Sequence, residues 1–277
     1  MSSHQPRKRF GQNFLRDDRV IDRIVAAINP RPGQHLVEIG PGEGALTAGL
    51  LAQGCRLDAI ELDRDLGPAL TERFGDHAGF TLHQADALQF DFAALAATGE
   101  SLTVVGNLPY NISTPLIFHL LGFSGLIDDM YFMLQREVVN RLAAEPGGKA
   151  WGKLGVMAQY HCEVEALFEV PPEAFRPPPR VMSGIVRLTP HHSACDNRRE
   201  ASLRRVVSAA FSQRRKTLRN TLRDLVSVQQ LEALGISAGA RAETLTLQQF
   251  VAISEMIEAD TKTFDSGPKA EDTKRDQ

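Results

Sequence analysis

The sequence predicts an α/β protein, a parallel-rich sheet covered by helices, followed by a small all-helical domain. Up to about residue 135, short β-like apolar runs alternate with helical patterns, which is the order of a parallel sheet with crossover helices. Two later apolar runs flank the proline-rich PPEAFRPPPR, and residues 200–258 keep helical periodicity with no strand signal.

The strand candidates are His35–Ile39, Arg56–Ile60, Phe80–His83, Leu102–Val105 and Met130–Leu134. Leu46–Ala52, Asp65–Phe74 and Pro115–Leu121 read as the helices between them, the last opened by Ser113 as a cap with Pro115 in its first turn. Val164–Val170 and Gly184–Leu188 read as a late hairpin that closes the sheet. The expected organisation is a first domain over 1–190, a linker over 191–200, a helical domain over 201–259 and a disordered tail over 260–277.

At 277 residues, with 43% hydrophobic residues and a net charge of -3, the chain is long enough for one full-sized domain and a smaller one, and its global charge demands no polyanionic partner. Three widely spaced cysteines do not make a disulfide framework, so a reducing, cytoplasmic setting is expected. MSSHQPRKRFGQNFL has a basic start but no apolar stretch behind it, unlike a signal peptide. No apolar run reaches the ~18 residues of a spanning helix.

VEIGPGEG places Gly40, Gly42 and Gly44 directly after the first strand candidate and before a helix. Such a turn lets a ligand approach backbone that carries no side chains, at the carboxyl end of a parallel sheet. An acid inside the strand, Glu38, would repel a pyrophosphate but suits a cationic or zwitterionic ligand. The second strand ends in IELD, which puts Glu61 where an acid accepts ribose hydroxyls. Asp86 in ADAL follows the third strand, placed for an adenine amino group. Each acid alone is a common capping or strand-end residue; their recurrence at successive strand ends carries the inference. An adenosine with a positive centre and no phosphates is S-adenosylmethionine, and the fold expectation becomes a Rossmann-like class I methyltransferase sheet with helices on both faces.

GNLPYNIS, Gly106 to Ser113, then delivers Asn107, Leu108, Pro109 and Tyr110 to the same edge. An exocyclic amino group on a base is a weak nucleophile because its lone pair is delocalised into the ring. Two acceptors on its N–H bonds draw it towards a tetrahedral geometry. The Asn107 side-chain oxygen and the Leu108 carbonyl are such acceptors, and Pro109 fixes the direction of that carbonyl by holding Leu108 extended. Tyr110 offers a face on which an extruded base can stack, a contact worth about 1–3 kcal/mol in single-strand binding. The bland alternative for these residues is a capped turn with a core tyrosine.

VEIGPGEG, IELD, ADAL and NLPY in this order resemble the ribosomal RNA adenine dimethyltransferases, and the match extends beyond the common methyltransferase core. RKRFGQNFL, VPPEAFRPPPRV and FSQRRKTLRNTL are similar to that family's flanking signatures, so the resemblance covers residues 7 to 258. It is strongest to the bacterial branch that dimethylates two adjacent adenosines in a hairpin near the 3′ end of small-subunit (16S) ribosomal RNA. The resemblance implies S-adenosylmethionine as methyl donor, with Asn13 and Leu15 closing over it and Gly40 beneath. It also implies Glu61 on the ribose, Asp86 on the adenine, and Asn107 between donor and substrate. It makes Phe175 a second aromatic face opposite Tyr110, although Phe175 by itself reads as a core plug in a proline-rich turn.

Nine cations stand between Arg198 and Arg223 against Glu200 as the one acid, an imbalance that suggests a phosphate-binding surface. Within it Arg204, Arg205, Arg214, Arg215, Lys216 and Arg219 are the candidate RNA contacts, and Arg7, Lys8 and Arg9 form a second basic cluster. His191, His192 and Cys195, or His161 beside Cys162, lack repeated ligand pairs at zinc spacing, so no metal is expected. The expected partner is small-subunit ribosomal RNA within an immature 30S particle, bound by a monomer that uses no membrane. Two alternatives stay open, an adenine-N6 methyltransferase acting on another nucleic acid and a ribosome-assembly factor acting mainly by binding.

Overall fold

The structure, a computed structural model, describes residues 12–96, 99–109, 112–191 and 197–265. The chain divides into two compact units, one within Met1–Ala143 and His161–Ser193 and the other within Ala144–Tyr160 and Ala194–Gln277.

The first unit opens with β1 (Phe14–Leu15) and α1 (Asp18–Ile28), neither among the elements the sequence reading expects. Asp17 caps α1 by accepting from the Arg19 and Val20 backbone N–H groups, and Asn29 ends it in a left-handed conformation at φ 50. Ile21, Ile24, Val25 and Ile28 share the buried face of α1; burying each such side chain contributes about 1.5–3 kcal/mol.

The sheet-forming elements follow as β2 (His35–Ile39), α2 (Ala45–Leu51), β3 (Arg56–Glu61), α3 (Gly67–Phe74), β4 (Phe80–Gln84), β5 (Leu102–Asn107), α4 (Ser113–Leu121) and β6 (Ile127–Gln135). Then come α5 (Arg136–Leu142), α6 (Lys153–His161), β7 (Cys162–Val170), the short β8 (Phe175–Arg176) and β9 (Ser183–Pro190). The expected strands and helices are all present, within a few residues at each end. One detail differs. Ile112 occupies the cap position of α4 and Ser113 is its first helical residue, with no side-chain cap.

Seven strands form one sheet in the order β4-β3-β2-β5-β6-β9-β7, parallel from β4 through β6 and antiparallel at β9 and β7. The late hairpin therefore closes the sheet, with β9 inserted between β6 and its hairpin partner. Neighbouring residues such as Leu36 and Val37 are both fully buried, so the centre of the sheet is covered on both faces. Strand order reverses at the β2–β5 pair, where Ile39 lies opposite Gly106.

In the second unit, residues 144–160 join α7 (Asn197–Ala210), α8 (Leu218–Thr221), α9 (Val228–Ala233) and α10 (Leu247–Asp265). α7 starts inside the stretch that reads as a linker, and α10 continues past Asp260, where the polar tail begins. Its core includes Leu203, Val207, Leu218, Leu222, Phe250 and Ile253. The rings of Phe211 and Phe250 pack 5.6 Å apart. Trp151 is buried there and donates from its indole nitrogen to the Leu245 carbonyl at 2.9 Å.

A Cβ at position 106 would stand 2.6 Å from the Ile39 carbonyl oxygen. Gly106→Ala is therefore expected to destabilise the fold by about 1–3 kcal/mol, as overpacking does. Gly125→Ala, where a Cβ meets nothing within 4 Å, should stay within about 0.5 kcal/mol of the parent. Urea unfolding of the pair checks both values.

Candidate functional site

The carboxyl ends of β2, β3 and β5 meet above the point where strand order reverses, and a cleft opens there. Its walls bring together most of the first-unit residues singled out from sequence: Asn13, Leu15, Gly40, Gly42, Glu61, Asp86, Asn107, Leu108 and Pro109 all line it, and so does Glu38. Tyr110, Arg7, Lys8 and Arg9 lie outside the described residues.

The turn after β2 folds as its glycines dictate. Gly40 and Gly42 have φ of 68 and 59, a region other residues avoid. The Gly42 N–H donates to Glu61 Oε2 at 3.2 Å, while Glu61 Oε1 accepts from the Asp63 N–H at 2.7 Å. Glu61 is thus the clasp between the glycine turn and the turn after β3. Burial raises its carboxyl above the usual carboxylate range.

Glu38 is more deeply placed, 2% exposed. Thr47 donates to its Oε2 at 2.6 Å, yet burial outweighs that bond, and the nearby Glu61 adds to it, so the Glu38 carboxyl is pushed up to about 7. Two acids with raised pKa in one cleft favour a cationic occupant, because a positive charge restores what desolvation removes.

Asp86 holds the turn after β4 through the Leu88 N–H at 3.0 Å and the Gln89 amide at 3.4 Å. Its two oxygens have lone pairs beyond those bonds. Leu62 lies in the cleft wall with 48% exposure, a large apolar side chain left open where the surrounding core is closed. It stands beside Glu61 in IELD, and that position was the only signal the sequence offered for it.

The segment from Gln12 to Asp17 closes one side of the cleft. Gln12 donates to Asp63 Oδ2 at 2.9 Å, and Phe14 sits where a Cβ on Gly42 would come within 3.0 Å of its ring. β1 pairs antiparallel with β8, Leu15 opposite Phe175 and Phe14 opposite Arg176. The Arg16 N–H donates to the Ala174 carbonyl at 2.8 Å. Phe175 is 4% exposed and packed in the core around β1, the core-plug position that the residue by itself suggested.

Asn107 ends β5 and donates from Nδ2 to the Asn13 carbonyl at 3.0 Å. An amide that donates in that direction presents Oδ1 as its acceptor. Leu108 is buried, and its N–H donates to the Met133 carbonyl at 3.2 Å, which anchors the residue whose carbonyl, in the next peptide, is the second proposed acceptor. The contact between Asn13 and Asn107 spans 94 residues, and no local pattern announces it. Gln12, Phe14, Leu62, Asp63 and Gly106 also line the cleft and were not singled out from sequence.

In the second unit, Arg205, Arg215, Lys216 and Arg219 are exposed. Others of the basic run are engaged: Arg204 pairs with Glu200, Arg199 with Glu255 at 3.7 Å, and Arg214 with Glu243 at 3.3 Å. Exposed pairs of this kind contribute about 0–1 kcal/mol each. Among the described residues no group of three or more His, Cys, Asp or Glu side chains is placed to hold a metal ion, and no helix is long and apolar enough to cross a membrane. Burial pushes the Cys162 thiol up to about 12.

A family model described as ribosomal RNA adenine dimethylase matches residues 3–259. The chain is 60% identical over 255 residues to the ribosomal RNA small subunit methyltransferase A of Pseudomonas aeruginosa, covering 92% of this chain and 95% of that one. It is 58% identical over 257 residues to the protein of the same name from Hahella chejuensis, covering 92% and 93%. Among solved structures, a dimethyladenosine transferase from Plasmodium falciparum superposes with a TM-score of 0.77 at 24% identity, covering 90% of this chain and 98% of that one, and shares the fold. The 23S rRNA methyltransferase ErmE follows with 0.71 at 25% identity, covering 89% and 100%. With a cleft whose buried acids suit a cation, an asparagine held at its edge and a family match over nearly the whole length, the chain belongs to the ribosomal RNA adenine dimethylases.

Proposed function

We propose that the chain transfers methyl groups to the N6 amino groups of two adjacent adenosines in a hairpin near the 3′ end of small-subunit (16S) ribosomal RNA, giving N6,N6-dimethyladenosine. The observation that carries this reading is the fixed amide of Asn107, held by Asn13 at the rim of a cleft whose buried acids suit a cation.

When bound, S-adenosylmethionine supplies an electrophilic methyl group on a sulfonium. The residues present fit it. Glu38 and Glu61 supply negative potential, Glu61 accepts from the ribose, and Asp86 accepts from the adenine amino group. Leu62 gives the adenine an apolar face, Gly40 leaves room beneath, and Asn13 and Leu15 cover the site. The Asn107 Oδ1 and the Leu108 carbonyl accept from the target amine, which aims its lone pair at the methyl; Pro109 keeps that carbonyl extended. Tyr110 stacks on the extruded base. Phe175 is the second aromatic face opposite Tyr110, and its pairing opposite Leu15 also seats the strand that carries that residue. Catalysis is by positioning, which can supply several kcal/mol without a strong base.

In this reading the protein acts in the cytoplasm as a monomer on an immature 30S particle, and the exposed cations of the second unit hold RNA phosphates. Incubation of unmodified small subunits with the protein and labelled S-adenosylmethionine, followed by mass spectrometry of the nucleosides, tests it. Labelled dimethyladenosine is expected. Monomethyl product alone would overturn the geometry given to Asn107 and Leu108, and no label despite tight binding would favour an assembly factor.

Asn107→Ala should lower the transfer rate at least ~100-fold, the scale of a misplaced reacting group, while subunit binding stays within a few-fold. Loss of both together would sink the assigned role.

The raised carboxyl of Glu38 sets a pH dependence. A cation favours its ionised form, so below about 7 the site must release a proton to bind. Affinity for S-adenosylmethionine should therefore fall about five- to tenfold from pH 7.5 to pH 6, and titration calorimetry should find that slope flattened in Glu38→Gln.

A further inference from the structure

Residues 145–153, EPGGKAWGK, join α5 to α6 and belong to the second unit. They carry Lys149 and Lys153, both exposed, with Glu145 as the one acid. The segment is stapled at three points to parts of the chain far away in sequence. The Gly147 N–H donates to the Glu243 carbonyl at 2.7 Å, and the Trp151 indole donates to the Leu245 carbonyl at 2.9 Å. Arg214 donates through Nη2 to the carbonyl of Lys149 itself, 65 residues away, and through Nε to Glu243 at 3.3 Å.

Arg214, at the head of the Arg214-Arg215-Lys216 triplet, is thus occupied with holding this loop. Its neighbours are not so engaged: among the described residues no carboxylate pairs with Arg215, Lys216 or Lys149. The loop is tied to the triplet through the backbone of Lys149, so the helical unit presents three exposed cations, Lys149, Arg215 and Lys216, from two distant segments with no carboxylate partner among the described residues.

We infer that Lys149 is a phosphate-contacting residue for the RNA substrate and that Arg214 is a positioning residue, which docks the Lys149 loop instead of binding phosphate. This rests on the RNA-modifying reading above and deepens it. A phosphodiester backbone fits the patch because it offers closely spaced anions to exposed ammonium and guanidinium groups. An anionic lipid surface fits less well, since such surfaces are usually gripped by apolar side chains too. Trp151 is buried, and the large apolar residues exposed among the described residues, Leu62 and Val181, belong to the other unit.

The test measures binding of the full-length protein to unmodified small subunits across a salt series, for the parent, Lys149→Gln, Arg215→Gln and Arg214→Gln. Each lost phosphate contact should reduce the slope of log affinity against log salt by about 0.7–0.9. Lys149→Gln is expected to match Arg215→Gln in this, with S-adenosylmethionine affinity unchanged. Arg214→Gln should in addition speed amide exchange over residues 147–151, which Lys149→Gln should not do. An unchanged slope in Lys149→Gln beside a reduced one in Arg215→Gln would overturn the assignment. So would unaltered exchange in Arg214→Gln, or Lys149-dependent binding to phosphatidylserine vesicles that exceeds binding to subunits. Failure of the wider reading looks different, with the parent protein neither binding subunits in a salt-dependent way nor methylating them.

Discussion

The parallel pairing of β2 with β5 is the constraint on which the rest of the site depends. These strands are far apart in the chain, yet Ile39 lies opposite Gly106 with no room for even a methyl group between them. Their carboxyl ends therefore share one edge, and because strand order reverses at this pair, the crossovers leave in opposite directions and a crevice opens. The glycine turn after β2 and the Asn107 peptide after β5 face that crevice by consequence of register. A slip of one residue would turn Glu38 and Asn107 to the wrong side.

Within the crevice, the acids face an electrostatic conflict that only a ligand relieves. Burial raises the proton affinity of both Glu38 and Glu61, with Glu61 adding to that of Glu38 and Asp63 to that of Glu61, and each is held by hydrogen bonds that favour the charged form. Burial wins. Such a site favours positive charge, at some cost to the stability of the fold above the usual carboxylate range. The Gln12–Asp17 segment is part of the same arrangement, since it bonds to Asp63 on one side, to Asn107 in the middle and to Ala174 on the other. Donor binding and orientation of the acceptor amide thus share one short piece of chain.

The helical unit follows a different logic. Its basic run looks uniform in sequence, but several guanidinium groups are occupied by Glu200, Glu243 and Glu255 and by the Lys149 carbonyl. Arginine suits such work because its planar fork can hold a carboxylate and a carbonyl at once. The exposed cations come partly from a loop that precedes α7 by many residues.

By itself the sequence determined the sheet, the helices between its strands, the glycine turn, the acids at successive strand ends and the asparagine after the fourth expected strand. Each of these is written in local periodicity or turn chemistry, which depend on neighbours within a few residues. Only tertiary structure decided that Asn13 orients Asn107, that Phe175 pairs with β1, that Leu62 is left open beside Glu61 and that Arg214 bonds the carbonyl of a distant loop. β1 is two residues long and α1 precedes the first expected strand, so neither belongs to the alternating pattern that announces the sheet. A side chain's identity constrains what it can bond, but its partner is chosen by the path of the chain over tens of residues. That choice is made by burial and register, which no short stretch of sequence contains.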